Sequence, residues 1–253
     1  MTRYPLPKAV AMIVASMVVT AGASRLALRY GALWREGRRA APITTIVQAG
    51  DLLPTEYLAE RLGLSVDAPL SLDTWNEEEA RQTLTRLPRI RSISSCFATR
   101  SGSLFLSFEA RYPRFFSGDY SGLAFDEEGT PIPLLPGESD LPLPTVYFGF
   151  PDPPAWDTPI DATSMRYAKT LIDLMIAWRL PVTTIDLSRL CAPSLGSREI
   201  VVTLDHHLVR LSPEGVERQI GDYLELKGGL AAHTPHVIDM RLPHAAYIAP
   251  QYQ

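Results

Sequence analysis

The chain has little of what nucleic-acid binders and disulfide-rich secreted proteins depend on. Its 253 residues include only two cysteines, and its net charge is −4. A negative net charge argues against nucleic-acid binding, because holding phosphates requires a concentrated basic surface. Cys96 and Cys191 stand far apart in the sequence and do not make a disulfide framework. We therefore predict two separate, half-buried thiols.

The sequence also lacks the motifs of common enzyme classes. No nucleophile elbow, phosphate-binding loop or dinucleotide-binding motif occurs, and the serine in Gly118–Gly122 stands one place too late for an elbow. His206 and His207 would point to opposite faces of a strand. His233 and His236 have no cysteine or carboxylate beside them to complete a metal site. We predict solvated surface histidines, and neither a metal nor a cofactor.

Two acidic runs, Glu77–Glu79 and Asp126–Glu128, are the remaining candidates for acid–base chemistry. The first run falls in the opening turns of a predicted helix, where negative charge stabilises the helix dipole. The second precedes Gly129 at a predicted hairpin tip, where aspartate and glycine suit the turn. Solvated, structural roles are favoured, so we predict a protein that is not an enzyme. A periplasmic hydrolase that uses these carboxylates is a disfavoured alternative, because no convergent site is visible.

An uncharged run of full membrane-spanning length is missing as well. Ala9–Ala23 is uncharged but short, since a spanning helix needs about 17–25 residues. Continuing to Leu28 reaches that length by including Arg25, whose long side chain can extend to the interface. Residues 9–28 are therefore a candidate transmembrane anchor. Its apolar residues include Ala9, Val10, Met12, Ile13, Val14, Met17, Val18 and Val19.

A cleaved signal peptide would explain the same segment. Arg3 and Lys8 supply a positive start, and Ala21-Gly22-Ala23 fits a small-residue cleavage site. Five arginines lie in residues 25–39, so more positive charge follows the segment than precedes it, which does not favour an anchor. The residues alone leave both alternatives open. In each, the bulk of the chain is exported, and a membrane surface explains the basic linker 29–42 better than a nucleic acid does.

Residues 43–113 carry a series of helix and strand patterns. Apolar residues at strand and helix spacing, with turn residues between them, predict a β-α-α-β-β unit. Its elements are a strand at Ile43–Val47, helices opening near Thr55 and after Asp73, and strands at Ile90–Thr99 and Ser103–Ala110. We expect two helices to cover three strands and to bury Trp75, Leu84 and Leu87.

Residues 114–253 predict a second α+β domain with a mostly antiparallel sheet, because strands and helices do not alternate as βαβ units. Nine of the 22 prolines fall in residues 131–159, which predicts an extended loop around one strand at Val146–Phe150. The remaining predicted elements are a helix after the N-cap Asp161, a helix at Val216–Leu226, and strands at Val182–Ser188, Glu199–Leu204, Leu208–Leu211, His236–Arg241 and Ala246–Ile248. The last strand has no successor to pair with, so we expect one of its edges to be open.

Four short motifs, in order, resemble those of the FtsQ/DivIB cell-division family. Glu109–Pro113 is similar to the ER-x-P that closes the family's POTRA domain, with looser spacing. Gly122–Gly129 is similar to its D-x-x-G hairpin, Thr184–Ser188 to an internal strand, and Val237–Arg241 to its closing i-D-l-R strand. The resemblance spans nearly the whole chain.

The resemblance implies a bitopic scaffold of the bacterial inner membrane. Residues 1–8 would form a cytoplasmic tail and residues 9–28 an uncleaved anchor, followed outside by a POTRA-like domain at 43–113 and a β domain at 114–253. The implied partners are small single-pass coiled-coil division proteins of the FtsB/DivIC and FtsL type, and other membrane division proteins. Carried over to this chain, the partner-binding residues are Arg241, Ala245, Ala246, Tyr247 and Ile248.

The chain departs from the family's pattern at two places. Leu242-Pro243 stands where the family often has an aromatic residue, and His206-His207 stands where a small turn is usual. These departures concern the partner's identity more than the fold. The main alternative is an exported POTRA-containing factor for outer-membrane assembly or secretion. Such factors usually repeat the unit, whereas this sequence shows one.

Overall fold

The computed structural model describes residues 42–65, 67–230 and 234–251, and it shows an α+β protein, as the sequence predicts. The chain divides into two compact units between Ala110 and Arg111. None of the helices in these ranges is both long and apolar enough to cross a membrane. The predicted anchor at 9–28 and nearly all of the basic linker lie outside the described residues.

The first unit has its elements in the order β-α-α-β-β. Strand β1 is Thr45–Gly50, helices α1 and α2 are Thr55–Arg61 and Glu77–Thr85, and strands β2 and β3 are Ile90–Ala98 and Ser103–Ala110. Strand β3 is the central strand, antiparallel to β2 and parallel to β1. A parallel pair requires a crossover connection, which the two helices and β2 provide here.

The core of the first unit follows from the alternation along β3. Alternate residues from Leu104 to Ala110 are buried, whereas those between them are partly or fully exposed. The helices supply Leu58 and Leu84, which are almost fully buried. Trp75 and Leu87, which we expected beside Leu84, are only partly buried.

The turn between β2 and β3 requires Gly102. Its φ is +82°, a backbone conformation that other residues rarely adopt. Its carbonyl oxygen accepts the backbone N–H of Thr44 at 2.9 Å. A Cβ at this position would lie only 2.2 Å from the carbonyl oxygen of Pro42. The glycine therefore lets the segment before β1 pack directly against the turn.

The second unit contains, within the described residues, nine strands: β4 Phe115–Ser117, β5 Leu123–Phe125, β6 Pro131–Pro133, β7 Thr145–Tyr147, β8 Val182–Asp186, β9 Ile200–Leu204, β10 His207–Leu211, β11 His236–Asp239 and β12 Tyr247–Pro250. They form one mixed sheet in the order β12-β11-β10-β9-β8-β7-β4-β5-β6. Parallel pairing is confined to β10 with β11, β7 with β8, and β4 with β7. The other neighbours are antiparallel, so the sheet is mostly antiparallel.

Two helices, α3 (Ala162–Ala177) and α4 (Val216–Lys227), share one core with this sheet. Alternate residues of β9 and β10 are buried, as expected for strands covered on one face. Asp161 caps α3 as predicted, because its carboxylate accepts the backbone N–H groups of Thr163 and Ser164 at 3.0 and 2.9 Å. The core side chains include Leu171, Met175, Ile185, Val202, Val209, Ile220, Tyr223 and Ile238.

The proline-rich stretch 131–159 contains one strand more than the sequence predicts. Pro131–Pro133 forms β6, which pairs with β5 although two of its three residues are proline. We expected proline to exclude a strand between Pro131 and the strand near Val146. That expectation was wrong because a strand at the edge of a sheet needs N–H donors on one side only.

Candidate functional site

Strand β12 lies at one edge of the nine-stranded sheet. It pairs with β11 in antiparallel register, with Tyr247 opposite Asp239 and Ile248 opposite Ile238. On its other side the described residues contain no neighbouring strand. Strand β12 is therefore an edge strand.

One hydrogen bond determines which backbone groups of β12 face its neighbour. The N–H of Gln251 donates to the carbonyl oxygen of Pro235 at 3.0 Å, so residue 251 bonds toward β11. Along an antiparallel strand the bonding direction alternates from one residue to the next. Tyr247 and Ala249 therefore also bond toward β11.

The intervening residues present their backbone groups to the open side. These are Ile248, Pro250 and, by the same alternation, Ala246 immediately before the strand. Ala246 and Ile248 each offer an N–H and a carbonyl group. Pro250 offers only a carbonyl, because proline has no N–H. A strand added at this edge could therefore accept hydrogen bonds from the N–H groups of Ala246 and Ile248, but not from position 250.

The opposite edge, β6, offers no such donors. The N–H of Leu134 donates to the carbonyl oxygen of Gly122 at 3.0 Å, so even-numbered residues of this strand bond toward β5. Pro131 and Pro133 occupy the alternate positions, and neither carries an N–H. Proline at an edge is one device that protects sheets from unwanted strand pairing. The two edges of the sheet therefore differ, because β12 has outward N–H donors and β6 has none.

Exposed apolar side chains accompany the open edge. Leu242, Tyr247 and Ile248 are 62%, 67% and 38% exposed. Ile248 stands opposite the fully buried Ile238, which places Ile248 on the face that carries the helices. Tyr247, one residue earlier, is on the other face. A strand beside β12 would therefore meet an apolar side chain on each face.

The remaining residues implied by the resemblance lie near this edge in different ways. Ala245 and Ala246 precede β12 and are exposed, and the N–H of Ala245 lies 3.4 Å from the carbonyl oxygen of Leu242. The structure thus brings Ala246, Tyr247 and Ile248 together along one edge. Ala245 belongs to the turn that leads into it.

Arg241 is held by carboxylates of its own sheet. Its Nε donates to Oδ1 of Asp239 at 2.9 Å and its Nη2 donates to Oδ2 at 2.7 Å. Its Nη1 lies 3.3 Å from Oε2 of Glu199. The hydrogen bonds from Arg241 lower the pKa of Asp239, and the same bonds raise the pKa of Arg241. Most of its donors are therefore used within the sheet.

Glu199 is the centre of a buried ionic cluster that the sequence analysis missed. Its side chain is 5% exposed, and it accepts hydrogen bonds from Arg189 at 2.9 Å and from Arg210 at 2.5 Å. Arg241 is the third arginine around it. A buried carboxylate is stable only when paired and hydrogen-bonded, which this arrangement achieves. The available signal was the occurrence of Arg210 and Asp239 inside otherwise apolar strands.

The two acidic runs have structural roles. The backbone N–H groups of the first turn, Glu77–Glu79, are capped by Asn76, whose side chain accepts two of them. Asp126 accepts the backbone N–H of Thr130 at 2.8 Å and forms an ion pair with Arg111 at 2.5 Å. The prediction that the second run is solvated was wrong for Asp126, which is buried because Arg111 and the turn amides satisfy its carboxylate.

The prediction of solvated histidines was wrong for His207, which is 3% exposed. His206 lies in the turn between β9 and β10 instead of on a strand, and the centroids of the two rings are 4.3 Å apart. The argument from opposite faces of a strand therefore did not apply. His236 approaches the same ring. In the part of the chain that the structure describes, no group of three or more histidine, cysteine or acidic residues could hold a metal ion.

The cysteines are both free, with Cys96 buried and Cys191 exposed. The prediction of two separate thiols is confirmed, but neither is half-buried. Burial raises the pKa of the Cys96 thiol to about 11, so it is protonated at neutral pH and is a poor nucleophile. Cys96 therefore packs as a small apolar residue in β2.

An open groove of about 540 Å³ lies beside the C-terminal half of α3. Its lining includes Pro142, Ile172, Ile176 and Arg179, and it contains no carboxylate or histidine. The groove therefore lacks the groups of an acid–base site. No family model and no curated protein matches the chain.

Proposed function

We propose that this protein is a non-enzymatic bitopic scaffold of the bacterial cell-division machinery, of the FtsQ/DivIB type. On this proposal the first unit is the POTRA domain and the second unit is the β domain. Residues 9–28 anchor the chain in the inner membrane, with the bulk of the protein outside the cytoplasm. Its partners are small single-pass division proteins, and it binds neither a nucleic acid nor a small-molecule substrate.

The difference between the two edges of the large sheet is the observation that carries the proposal. An open edge exposes unpaired donors and favours aggregation, so proteins usually protect it. Within the described residues, this sheet has prolines at β6 but no strand that covers the donors of Ala246 and Ile248 at β12. The contrast between the protected edge at β6 and the unprotected edge at β12 supports a role for β12 in binding a partner strand.

Strand addition explains how the edge would recognise its partner. Main-chain hydrogen bonds to Ala246 and Ile248 give affinity, and contacts with side chains on the two faces give specificity. Tyr247 supplies rigid, amphipathic contact area on one face, and Ile248 supplies apolar area on the other. Because Pro250 lacks an N–H, the paired segment of the partner ends there.

Arg241 has a positioning role in this proposal. Its bonds to Asp239 and Glu199 fix the end of β11, from which the chain turns into β12. The family resemblance places Arg241 among the partner-binding residues. Its engagement with two carboxylates favours an indirect contribution, through the direction in which β12 leaves β11.

Recovery of partner proteins tests the proposal. The full-length chain is purified from detergent-solubilised membranes as wild type, as Tyr247→Lys and as Ile248→Pro. Because the Ile248 N–H faces outward, proline there removes a donor of the open edge while the bonds to β11 remain. Both variants should recover much less of the small membrane division proteins. Tyr112→Lys is the matched control, since Tyr112 is 50% exposed but lies outside β12.

A truncation after Pro243 removes the edge altogether and should abolish recovery. Circular dichroism establishes that each variant is folded before recovery is compared. Undiminished partner recovery by folded Tyr247→Lys, Ile248→Pro and the truncated chain would refute the site. Binding would then have to be sought at the outer edge of β1 or β2 in the first unit.

A further inference from the structure

Three histidines gather at the end of the sheet where β10 and β11 begin. His207 and His236 are the first residues of these two parallel strands, and their ring centroids are 5.4 Å apart. His206 precedes β10, and its ring centroid is 4.3 Å from that of His207. The buried ring of His207 therefore lies close to two other titratable rings.

The hydrogen bond that His207 accepts determines which of its two ring nitrogens carries the proton. Its Nδ1 accepts the backbone N–H of His236 at 3.3 Å. An imidazole nitrogen that accepts a hydrogen bond carries no proton, so His207 is neutral with its proton on Nε2. A second proton would have to bind Nδ1, and it would remove the acceptor that holds the start of β11.

The elements packed around His207 also disfavour its charged form. Tyr223 of α4 lies with its ring centroid 6.4 Å away, and burial raises the pKa of Tyr223 to about 12, so it stays neutral. Lys227, at the end of α4, forms an ion pair with Asp205. Asp205 attracts a proton to His207, whereas Lys227, His206 and His236 repel it.

We infer that this histidine cluster is an acid-sensitive latch on the last two strands of the sheet. Protonation of His207 breaks its bond to the His236 amide and places a positive charge between two other imidazoles. The start of β11 is then released from β10. The inference concerns the fold itself and does not depend on the proposed function.

The release also reaches the end of β12. His236 stands opposite Pro250. In the neighbouring pair, the N–H of Gln251 donates to the carbonyl oxygen of Pro235. The end of β11 that His207 holds therefore also pairs with the end of β12, which forms the open edge of the sheet. Acid would loosen both strands together.

The direction of the pH effect follows from the environment of His207. Burial, with the nearby imidazoles next in importance, lowers the pKa of His207 below its ordinary value. A group whose pKa is lowered on folding stabilises the closed state fully above its ordinary pKa of about 6.5, and that contribution is lost as the pH falls below it. One such histidine can increase the opening equilibrium by up to about 30-fold at about pH 5.

Hydrogen exchange of the full chain tests the latch. The amides of Val237–Asp239, and those of Tyr247 and Ala249 that face β11, are followed from about pH 7.5 to about pH 5, corrected for intrinsic exchange rates. Wild type should lose up to about 30-fold protection in these segments. His207→Asn keeps an acceptor oxygen but cannot titrate, so its protection should be independent of pH in this range. His244→Asn, at an exposed histidine outside the cluster, should behave as wild type.

A titration of the wild-type histidine resonances by NMR gives an independent measurement if His207→Asn does not fold. The His207 resonance should titrate below about pH 6.5, together with the loss of amide protection. Titration of His207 at or above that value would overturn the latch. So would wild-type protection that does not change with pH, or an equal loss of protection in folded His207→Asn.

Discussion

The ring of Tyr147 lies directly over Gly118. Val146 and Ser117 are paired in the parallel strands β7 and β4, which brings the next residue of each strand side by side. A Cβ at Gly118 would lie 2.5 Å from the tyrosine ring. The glycine therefore provides the space in which an aromatic side chain covers the junction of two short strands.

Gly118→Ala should destabilise the second unit by about 1–3 kcal/mol, the usual cost of overpacking, because either the ring or the strand must move. Gly196→Ala is the matched control, since a Cβ there meets nothing within 4 Å. The control should be neutral or slightly stabilising. Urea unfolding measures both changes, and equal effects of the two substitutions would contradict the packing of Tyr147 on Gly118.

The predicted POTRA-like domain should unfold cooperatively as an isolated fragment of residues 43–113. Leu84 is 1% exposed, so Leu84→Ala should lower its free energy of unfolding by about 2–5 kcal/mol. Leu52→Ala removes the same atoms from a side chain that is 66% exposed, and it should change the stability by less than about 0.5 kcal/mol. A fragment without a cooperative transition would show that this part of the chain does not form an independent domain.

Asp239→Asn should destabilise the second unit at neutral pH but not in strong acid. Hydrogen bonds from Arg241 lower the pKa of Asp239, so its contribution is present above the unfolded value of about 3.9 and is lost as the pH falls through the folded value. Loss of these bonds should cost about 1–3 kcal/mol at pH 7. Asp157→Asn, in an exposed loop, controls for the change of charge.

Urea unfolding of wild type and Asp239→Asn at several pH values checks this prediction. The difference in the free energy of unfolding should shrink from about pH 4 downward. A difference that stays constant with pH would mean that the ionised carboxylate of Asp239 contributes nothing to it.

The anchor proposed for residues 9–28 predicts an intact N-terminus and membrane attachment. Because its apolar side chains would be buried in lipid, the protein should remain in the membrane after a carbonate wash. N-terminal sequencing of the mature chain should begin before Ala23. A soluble exported protein that starts at Ser24 would identify the segment as a signal peptide instead.

The order of the elements in the first unit, and of those after residue 160 in the second, could be predicted from the sequence because it depends on local patterns. The capping of α3 by Asp161 and the alternation along β3 are decided by neighbouring residues. These features need no knowledge of which distant segments meet.

The features that the sequence analysis missed depend on long-range pairing. Glu199 is neutralised by arginines from β10 and from beyond β8 and β11, which only the strand order brings together. His207 is buried because α4 covers it. Asp126 is buried because Arg111 reaches it from another part of the chain. In each case the burial of a charged or titratable residue depends on a partner from another part of the chain.

The prolines of β6 also limit how the protein can assemble. A sheet with outward donors at both edges can polymerise head to tail, whereas within the described residues this sheet has outward donors only at β12. Once that edge is occupied, no second donor row remains in the described sheet to continue the array. On the proposed function, this sheet would take up one partner strand, and a homodimer through β12 would compete directly with that partner. Pro131 and Pro133, at the far end of the sheet from β12, would thereby limit this sheet to one added strand.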